Sequence, residues 1–226
     1  MKKSHTINLL SSLTLAATLA LMAGCATKGT YQQGAATGAG LIAAADKIDL
    51  GSSNVDLTLA SLNDLVNNPS GDLEPKFKAF NDNVGKLQSG YQNLQDATAD
   101  AREKGNKYME AWDAQLATIM NPDIKNASQQ RKAAVQSELN DTKRAYAEVR
   151  TDFDPFMANL KDIQTALSTD LTAGGIGAVK SAADQANNNG AKLKESLASL
   201  AKEFRDVGAA MGSSLPTNQM NQAISQ

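Results

Sequence analysis

Apolar and small residues recur at alternating steps of four and three along four long stretches of the chain. A 3.5-residue period keeps one seam of a helix against a partner helix. No stretch alternates apolar and polar residues long enough to indicate a strand. The pattern therefore predicts an all-α fold with no sheet. The predicted helices span about 38–67, 72–120, 122–171 and 175–212.

The breaks between the seams carry residues that end and begin helices. Residues 67–71 form a turn cluster. Ser70 within it, or Asp72 directly after it, can cap the second helix. Asn121 can cap the third helix, and 172–175 separates the third from the fourth. Such short connections imply antiparallel neighbours. We therefore expect an elongated antiparallel bundle, or coiled coil, of about four helices over residues 38–212.

Three places in the sequence disfavour an uninterrupted helix. Pro155 lies inside the third seam, where a missing N–H predicts a kink or break near 152–155. Gly51 and the segment 187–190 weaken the outer helices and could be short loops.

One part of the second seam carries only small residues and therefore has little apolar side-chain surface; we call this part the thin seam. Thr98, Ala101 and Gly105 occupy three successive seam positions. Small residues let helices approach closely, which is one interpretation. The other is a constriction lined by polar groups or by a ligand.

The first 25 residues have the three parts of a secretory signal. Lys2 and Lys3 precede an apolar stretch at 7–22, and small residues then lead to Cys25. This ending resembles the cleavage motif of bacterial lipoproteins, although Met22 stands where that family more often has leucine or valine. The resemblance implies removal of 1–24 and lipid on Cys25. An ordinary signal cut near Ala23 or Ala26 is the alternative.

Lipoprotein sorting gives a further expectation, because Ala26 rather than aspartate follows the cysteine. By resemblance, this favours the outer membrane, with the body facing the periplasm. Residues 25–37 are small and polar and predict a flexible tether. Residues 213–226 are polar and predict a disordered tail.

Composition excludes several kinds of chemistry. The only histidine is His5, in the leader, and the only cysteine is Cys25. A mature chain without histidine has no Ser-His-Asp triad, Cys-His pair or histidine metal site. The formal net charge is −2, and no basic stripe interleaves with aromatics, which argues against nucleic acid.

The remaining candidate groups favour structural interpretations. The carboxylate pairs Asp152/Asp154 and Glu110/Asp113 predict a solvated helix face rather than acid–base or metal chemistry. The glycine-rich segment 173–177 lacks a preceding strand and a P-loop lysine, so it predicts a helix–helix turn. We expect no catalysis, no cofactor and no metal site.

Four features mark the run from 71 to 211: the Gly71-Asp72-Leu73-Glu74 segment, the helix ending near Trp112, the Phe153–Phe156 segment and the amphipathic stretch 160–167. With these features the run resembles a family of bacterial helical lipoproteins called domain of unknown function twenty-nine fifty-nine. The resemblance implies a helical fold and an envelope location, and no activity.

These observations predict a membrane-anchored lipoprotein with a structural or protein-interaction role in the cell envelope. Its partners would be the membrane, through lipid on Cys25, and an envelope protein or the cell wall. Heptad seams also pack between separate chains, so the sequence also allows a homo-oligomer. The alternative is a carrier that holds an apolar ligand or lipid between its helices, for which the small residues at 98–105 are the motive.

Overall fold

The computed structural model describes residues 29–212, and within them the chain forms four helices and no strand. The predicted signal peptide, the lipid site at Cys25 and the predicted tail at 213–226 lie outside the described residues. The all-α prediction is confirmed. The helices are α1 (Thr30–Asn67), α2 (Glu74–Thr118), α3 (Pro122–Thr169) and α4 (Ala173–Met211).

The four helices pack as an antiparallel bundle. α1 lies closely against both α2 and α4, and α3 lies closely against α4. The fourth side of the bundle, between α2 and α3, is much more loosely packed. A gap therefore separates the two longest helices, and it positions the candidate site described below.

Side-chain hydrogen bonds lie at the start of three helices, of which α3 begins at the predicted residue and α2 and α4 within two residues of it. The side chain of Asn121 accepts hydrogen bonds from the backbone N–H groups of Asp123 (2.9 Å) and Ile124 (3.2 Å). Thr172 accepts one from Gly175 N–H, and Asp72 accepts one from Glu74 N–H. Each bond satisfies a donor that a helix N-terminus leaves unpaired.

The start of α1 corrects a prediction. Residues 30–37, expected to belong to a flexible tether, are helical and extend α1 by about two turns. Gly34 and Thr37 are buried, and Gly34 lies directly against the ring of Tyr108 in α2. Small residues supply this contact by letting another helix come close, so the segment packs without large apolar side chains.

The helix breaks that the sequence allowed do not occur. α3 is continuous through Pro155, so a break there is excluded, and Phe153 and Phe156 on either side of it are buried in the core. α1 runs through Gly51. In α4, Asn187 and Asn189 do not form a loop, because their side chains make hydrogen bonds to neighbouring helices.

The predicted seams form the core. Every predicted seam position of α4 is buried, and the largest fully buried side chains come from all four helices. Phe80, Phe156 and Phe204 are among them. Burying a phenylalanine side chain contributes about 1.5–3 kcal/mol, so the seams supply the main driving force for the bundle.

Candidate functional site

A cavity of about 400 Å³ opens where α2 and α3 stand apart. We call it the α2/α3 groove. Its volume lies within the range of about 300–1,000 Å³ that is typical of small-molecule sites. Its lining comes from all four helices: Leu41, Gln95, Thr98, Ala99, Ala101, Arg102, Asn106, Leu139, Thr142, Lys143, Tyr146 and Phe204.

The inner surface of the groove is apolar. Leu41 of α1 and Phe204 of α4 are both buried and lie across the bundle from the opening. Buried Leu139 on α3 and Ala101 on α2 form part of the walls. A ligand portion that reaches this depth would exchange water for hydrocarbon surface, which is favourable only for an apolar group.

The two threonines of the lining add little polarity. Thr98 Oγ1 donates a hydrogen bond to Leu94 O (2.8 Å), and Thr142 Oγ1 donates to Glu138 O (3.0 Å). Both hydroxyl protons are therefore used within the threonine's own helix. The groove can accept an apolar group without leaving these donors unpaired.

The outer rim of the groove is cationic. Arg102 on α2 and Lys143 on α3 are exposed lining residues on opposite walls. Within residues 29–212, neither side chain forms an ion pair, and Lys143 Nζ donates only a long 3.3 Å hydrogen bond to Asn140 Oδ1. Two unneutralised cations at the edge of an apolar groove are suited to an anionic headgroup.

The small residues that the sequence singled out explain the groove. Thr98 and Ala101 line it, facing Thr142 and Tyr146 of α3. At Gly105, one turn further on, α2 instead lies close to α3, because an added Cβ would lie 3.1 Å from Leu139 Cδ2. Close approach is therefore confirmed at Gly105, whereas a ligand at Thr98 and Ala101 stays a prediction.

A buried carboxylate lies one turn from the groove lining. Glu138 Oε2 is buried and has no hydrogen-bond partner among the described residues. Burial raises the pKa of Glu138, and Asp206, Glu203 and Asp141 raise it further, whereas Arg131 opposes the shift. Glu138 does not line the groove, and a charge on its buried oxygen without a hydrogen-bond partner is unfavourable.

The carboxylate pairs noted in the sequence have structural roles. Asp152 accepts a hydrogen bond from Ser196 of α4, and Asp113 forms an ion pair with Lys132 (2.6 Å). Asp154 and Glu110 are exposed. The glycine-rich segment 173–177 was expected to be a helix–helix turn, and this is wrong, because it forms the first turn of α4 and Thr172 caps it.

The seam aromatics pack within the bundle. Tyr91 and Phe153 stack with ring centroids 3.5 Å apart, and Tyr108 lies 5.4 Å from Trp112. Trp112 also donates its indole N–H to Ser128 Oγ (2.9 Å), which ties α2 to α3 near their connection. Packing is the role that the seam positions predict for these residues.

Within residues 29–212, none of the helices is both long and apolar enough to cross a bilayer. No group of three or more histidine, cysteine or acidic side chains in that range is arranged to hold a metal ion.

Comparison with known proteins identifies the family and nothing finer. Neither the curated proteins nor the solved structures gave a significant match. A family model described as a protein of unknown function, DUF2959, matches residues 43–211, which is most of the chain and all of α2, α3 and α4. The chain therefore belongs to the DUF2959 family of proteins of unknown function.

Proposed function

We propose that this protein is a lipid-anchored envelope lipoprotein whose α2/α3 groove binds a single-chain anionic amphiphile. The observation that carries the proposal is the combination of an apolar floor, formed by Leu41 and Phe204, with the free cations Arg102 and Lys143 at the rim. A fatty acid or a lysophospholipid has the matching chemistry, with one acyl chain and one anionic head. The protein would bind such a molecule without altering it.

The lipid anchor of this proposal rests on the sequence. The apolar leader ends in small residues before Cys25, and outer-membrane retention with a periplasmic body follows the resemblance to lipoproteins. Three acyl chains on Cys25 would exceed the two signals that stable membrane attachment requires. A Cys25→Ser chain is expected to leave the membrane fraction on sedimentation. Its continued sedimentation with membranes would refute the anchor.

The groove is tested by direct binding. We would incubate the purified full chain in mild detergent with radiolabelled palmitate, and in parallel with hexadecanol and with a hexadecyl trimethylammonium salt. Palmitate is expected to bind with saturation and the other two amphiphiles more weakly, because they lack the anionic head that the rim favours. Equal binding of all three, or no saturable binding, would contradict the proposal.

A scaffold role in the envelope, which is the main function that the sequence predicts, is the second candidate. Its support is the length of the helices, since α3 alone spans 48 residues, or about 70 Å at 1.5 Å per residue. Photo-crosslinking in cells from exposed Lys104 and Lys161 distinguishes the two roles. A single reproducible envelope partner would favour the scaffold, and a body that crosslinks to no protein would favour the carrier.

A further inference from the structure

Three of the six large apolar side chains that are exposed within residues 29–212 lie at one end of the bundle. Met120 and Ile124 flank the α2–α3 connection and are 91% and 58% exposed, and Tyr31 in the first turn of α1 is 66% exposed. The other three are spread along α1: Ile42, Leu50 and Leu57. We call residues 114–130, which contain the α2–α3 connection, the hairpin tip. Single exposed apolar side chains are normal on a protein surface, whereas a group of them indicates a contact surface.

The hairpin tip projects beyond the other helices at this end. Gly34 of α1 is level with Tyr108 of α2, as their direct contact shows. From that level α1 continues for about 6 Å to Thr30, whereas α2 continues for about 15 Å to Thr118, at 1.5 Å per residue. The tip therefore stands about 9 Å beyond the start of α1.

The predicted lipid site, Cys25, is close along the chain to the same end. Ala26, Thr27 and Lys28 separate Cys25 from Gly29, where the described chain begins. Four residue steps span at most about 14 Å when fully extended. A lipidated Cys25 could therefore lie as far along the bundle axis as the hairpin tip. So short a connection would keep this end of the bundle close to the bilayer.

The chemistry of the tip is suited to the interfacial zone of a bilayer. Asp123 and Lys125 are the charged residues of segment 114–130, and their charges cancel. Met120 and Ile124 can enter the acyl boundary, where apolar side chains gain free energy from leaving water. Tyr31 has the amphipathic ring that is enriched at membrane interfaces.

We propose that the hairpin tip inserts Met120 and Ile124 into the bilayer that holds the lipid anchor, so that the bundle stands on the membrane with α2 and α3 as its foot. This inference rests on the anchor of the proposed function but not on the groove. It assigns an orientation, because the opposite end of the bundle, with residues 68–73 and 170–172, would face away from the membrane.

The test uses the full chain, purified from membranes and reconstituted into vesicles of phosphatidylethanolamine and phosphatidylglycerol. Met120→Cys is spin-labelled, and Ser168→Cys, at the exposed far end of α3, is the matched control. Electron paramagnetic resonance then measures the collision of each label with oxygen, which concentrates in lipid, and with an aqueous nickel chelate. The unsubstituted chain is treated in the same way, since a lipidated Cys25 has no free thiol.

The label at residue 120 is expected to show a severalfold higher ratio of oxygen to nickel collisions than the label at 168. Equal aqueous ratios at both positions, with an unlabelled parent chain, would overturn the insertion while leaving the anchor intact. Dipolar broadening between labels at 120 would assign the tip to a second copy and also overturn it. Labelling of the parent chain at Cys25 would refute the anchor, and the insertion would fall with it.

Discussion

Gly38 of α1 and Gly208 of α4 bring two helix backbones into direct contact. A Cβ atom at Gly208 would come within 2.8 Å of the Gly38 carbonyl oxygen, and a Cβ atom at Gly38 would overlap the Gly208 carbonyl oxygen. Neither carbonyl can move without disturbing its own helix. The pair therefore sets how closely α1 and α4 approach at the end of the bundle nearest the predicted anchor.

We expect Gly38→Ala and Gly208→Ala each to lower the free energy of unfolding by about 1–3 kcal/mol, the usual cost of overpacking. Chemical denaturation followed by circular dichroism measures the change. Gly40→Ala is the control, because a Cβ atom there meets nothing within 4 Å. That variant should gain about 0.5–1 kcal/mol from helix propensity. A loss of stability in Gly40→Ala, or no loss of stability in Gly38→Ala, would contradict the backbone contact.

The amides of Asn63 and Asn187 give a second prediction. Each donates a 2.9 Å hydrogen bond to the other across the α1–α4 interface. Asn187→Ala leaves the Asn63 amide unpaired in a half-buried position and should cost about 1–3 kcal/mol. Exposed Asn188 is the matched control, and Asn188→Ala should be neutral or slightly stabilising.

A double variant separates the hydrogen bonds from mere packing. Replacing both Asn63 and Asn187 by leucine removes both partners at once, so no buried amide is left unpaired. We expect this protein to be within about 1 kcal/mol of the parent, because apolar replacement of a whole polar pair is nearly neutral. A loss larger than that of Asn187→Ala would show that the amides are more than a mutually satisfied pair.

Glu138 predicts a pH dependence of stability. Its pKa in the folded protein is raised above the usual 4.5, mainly by burial. Between these two values the folded state binds more protons than the unfolded state, so this group lowers stability as the pH rises through that window. Glu138→Gln removes the effect, and the variant should be more stable than the parent at pH 7.

Thermal unfolding at two pH values measures this difference. Below pH 4 both side chains are neutral, so the parent and Glu138→Gln should unfold at nearly the same temperature, and this acid measurement is the control. At pH 7 the variant should unfold at the higher temperature. The same advantage at both pH values would point to packing rather than to the titration of Glu138.

The rim of the groove gives a prediction for ligand binding. Ala99 is an exposed lining residue, and Ala99→Phe would cover the opening without overfilling the core. Palmitate affinity should fall by about tenfold or more, a change of about 1.4 kcal/mol. Ala79→Phe makes the same change at an exposed alanine of α2 outside the lining and should leave affinity unchanged.

The rim cations are tested separately. Lys143→Gln should weaken palmitate binding and leave hexadecanol binding unchanged, because the alcohol has no charge to lose. Lys161→Gln, on the same helix but outside the lining, is the control. Weakening of both amphiphiles by Lys143→Gln would mean that the lysine supports the shape of the groove rather than recognising a charge.

The sequence predicted the elements well where local chemistry decides them. The start of α3 at Pro122 follows from its Asn121 cap, and the end of α1 at Asn67 follows from the turn cluster after it. The start of α1 was missed because Gly34 and Gly38 have no side chain to produce an apolar pattern. Their contribution to packing depends on which residues of other helices approach them.

The groove was predictable only in part. The small residues at 98–105 indicate a thin seam, and a constriction lined by a ligand is one of the two interpretations of that seam. Its volume depends on the separation of α2 from α3, which is set by how both helices pack on α1 and α4. Arg102 and Lys143 gave no signal, since their positions on opposite walls require the three-dimensional arrangement.

The pairing of α1 with α4 imposes an order on the folding of the new chain. The first helix of the body has one of its two closest neighbours at the far end of the chain. Long-range contacts of this kind form late, because the intervening chain must first be closed into a loop. A chain that is made from its N-terminus therefore keeps one face of α1 uncovered until α4 is complete. Over that interval α1 is open to aggregation and to chaperones.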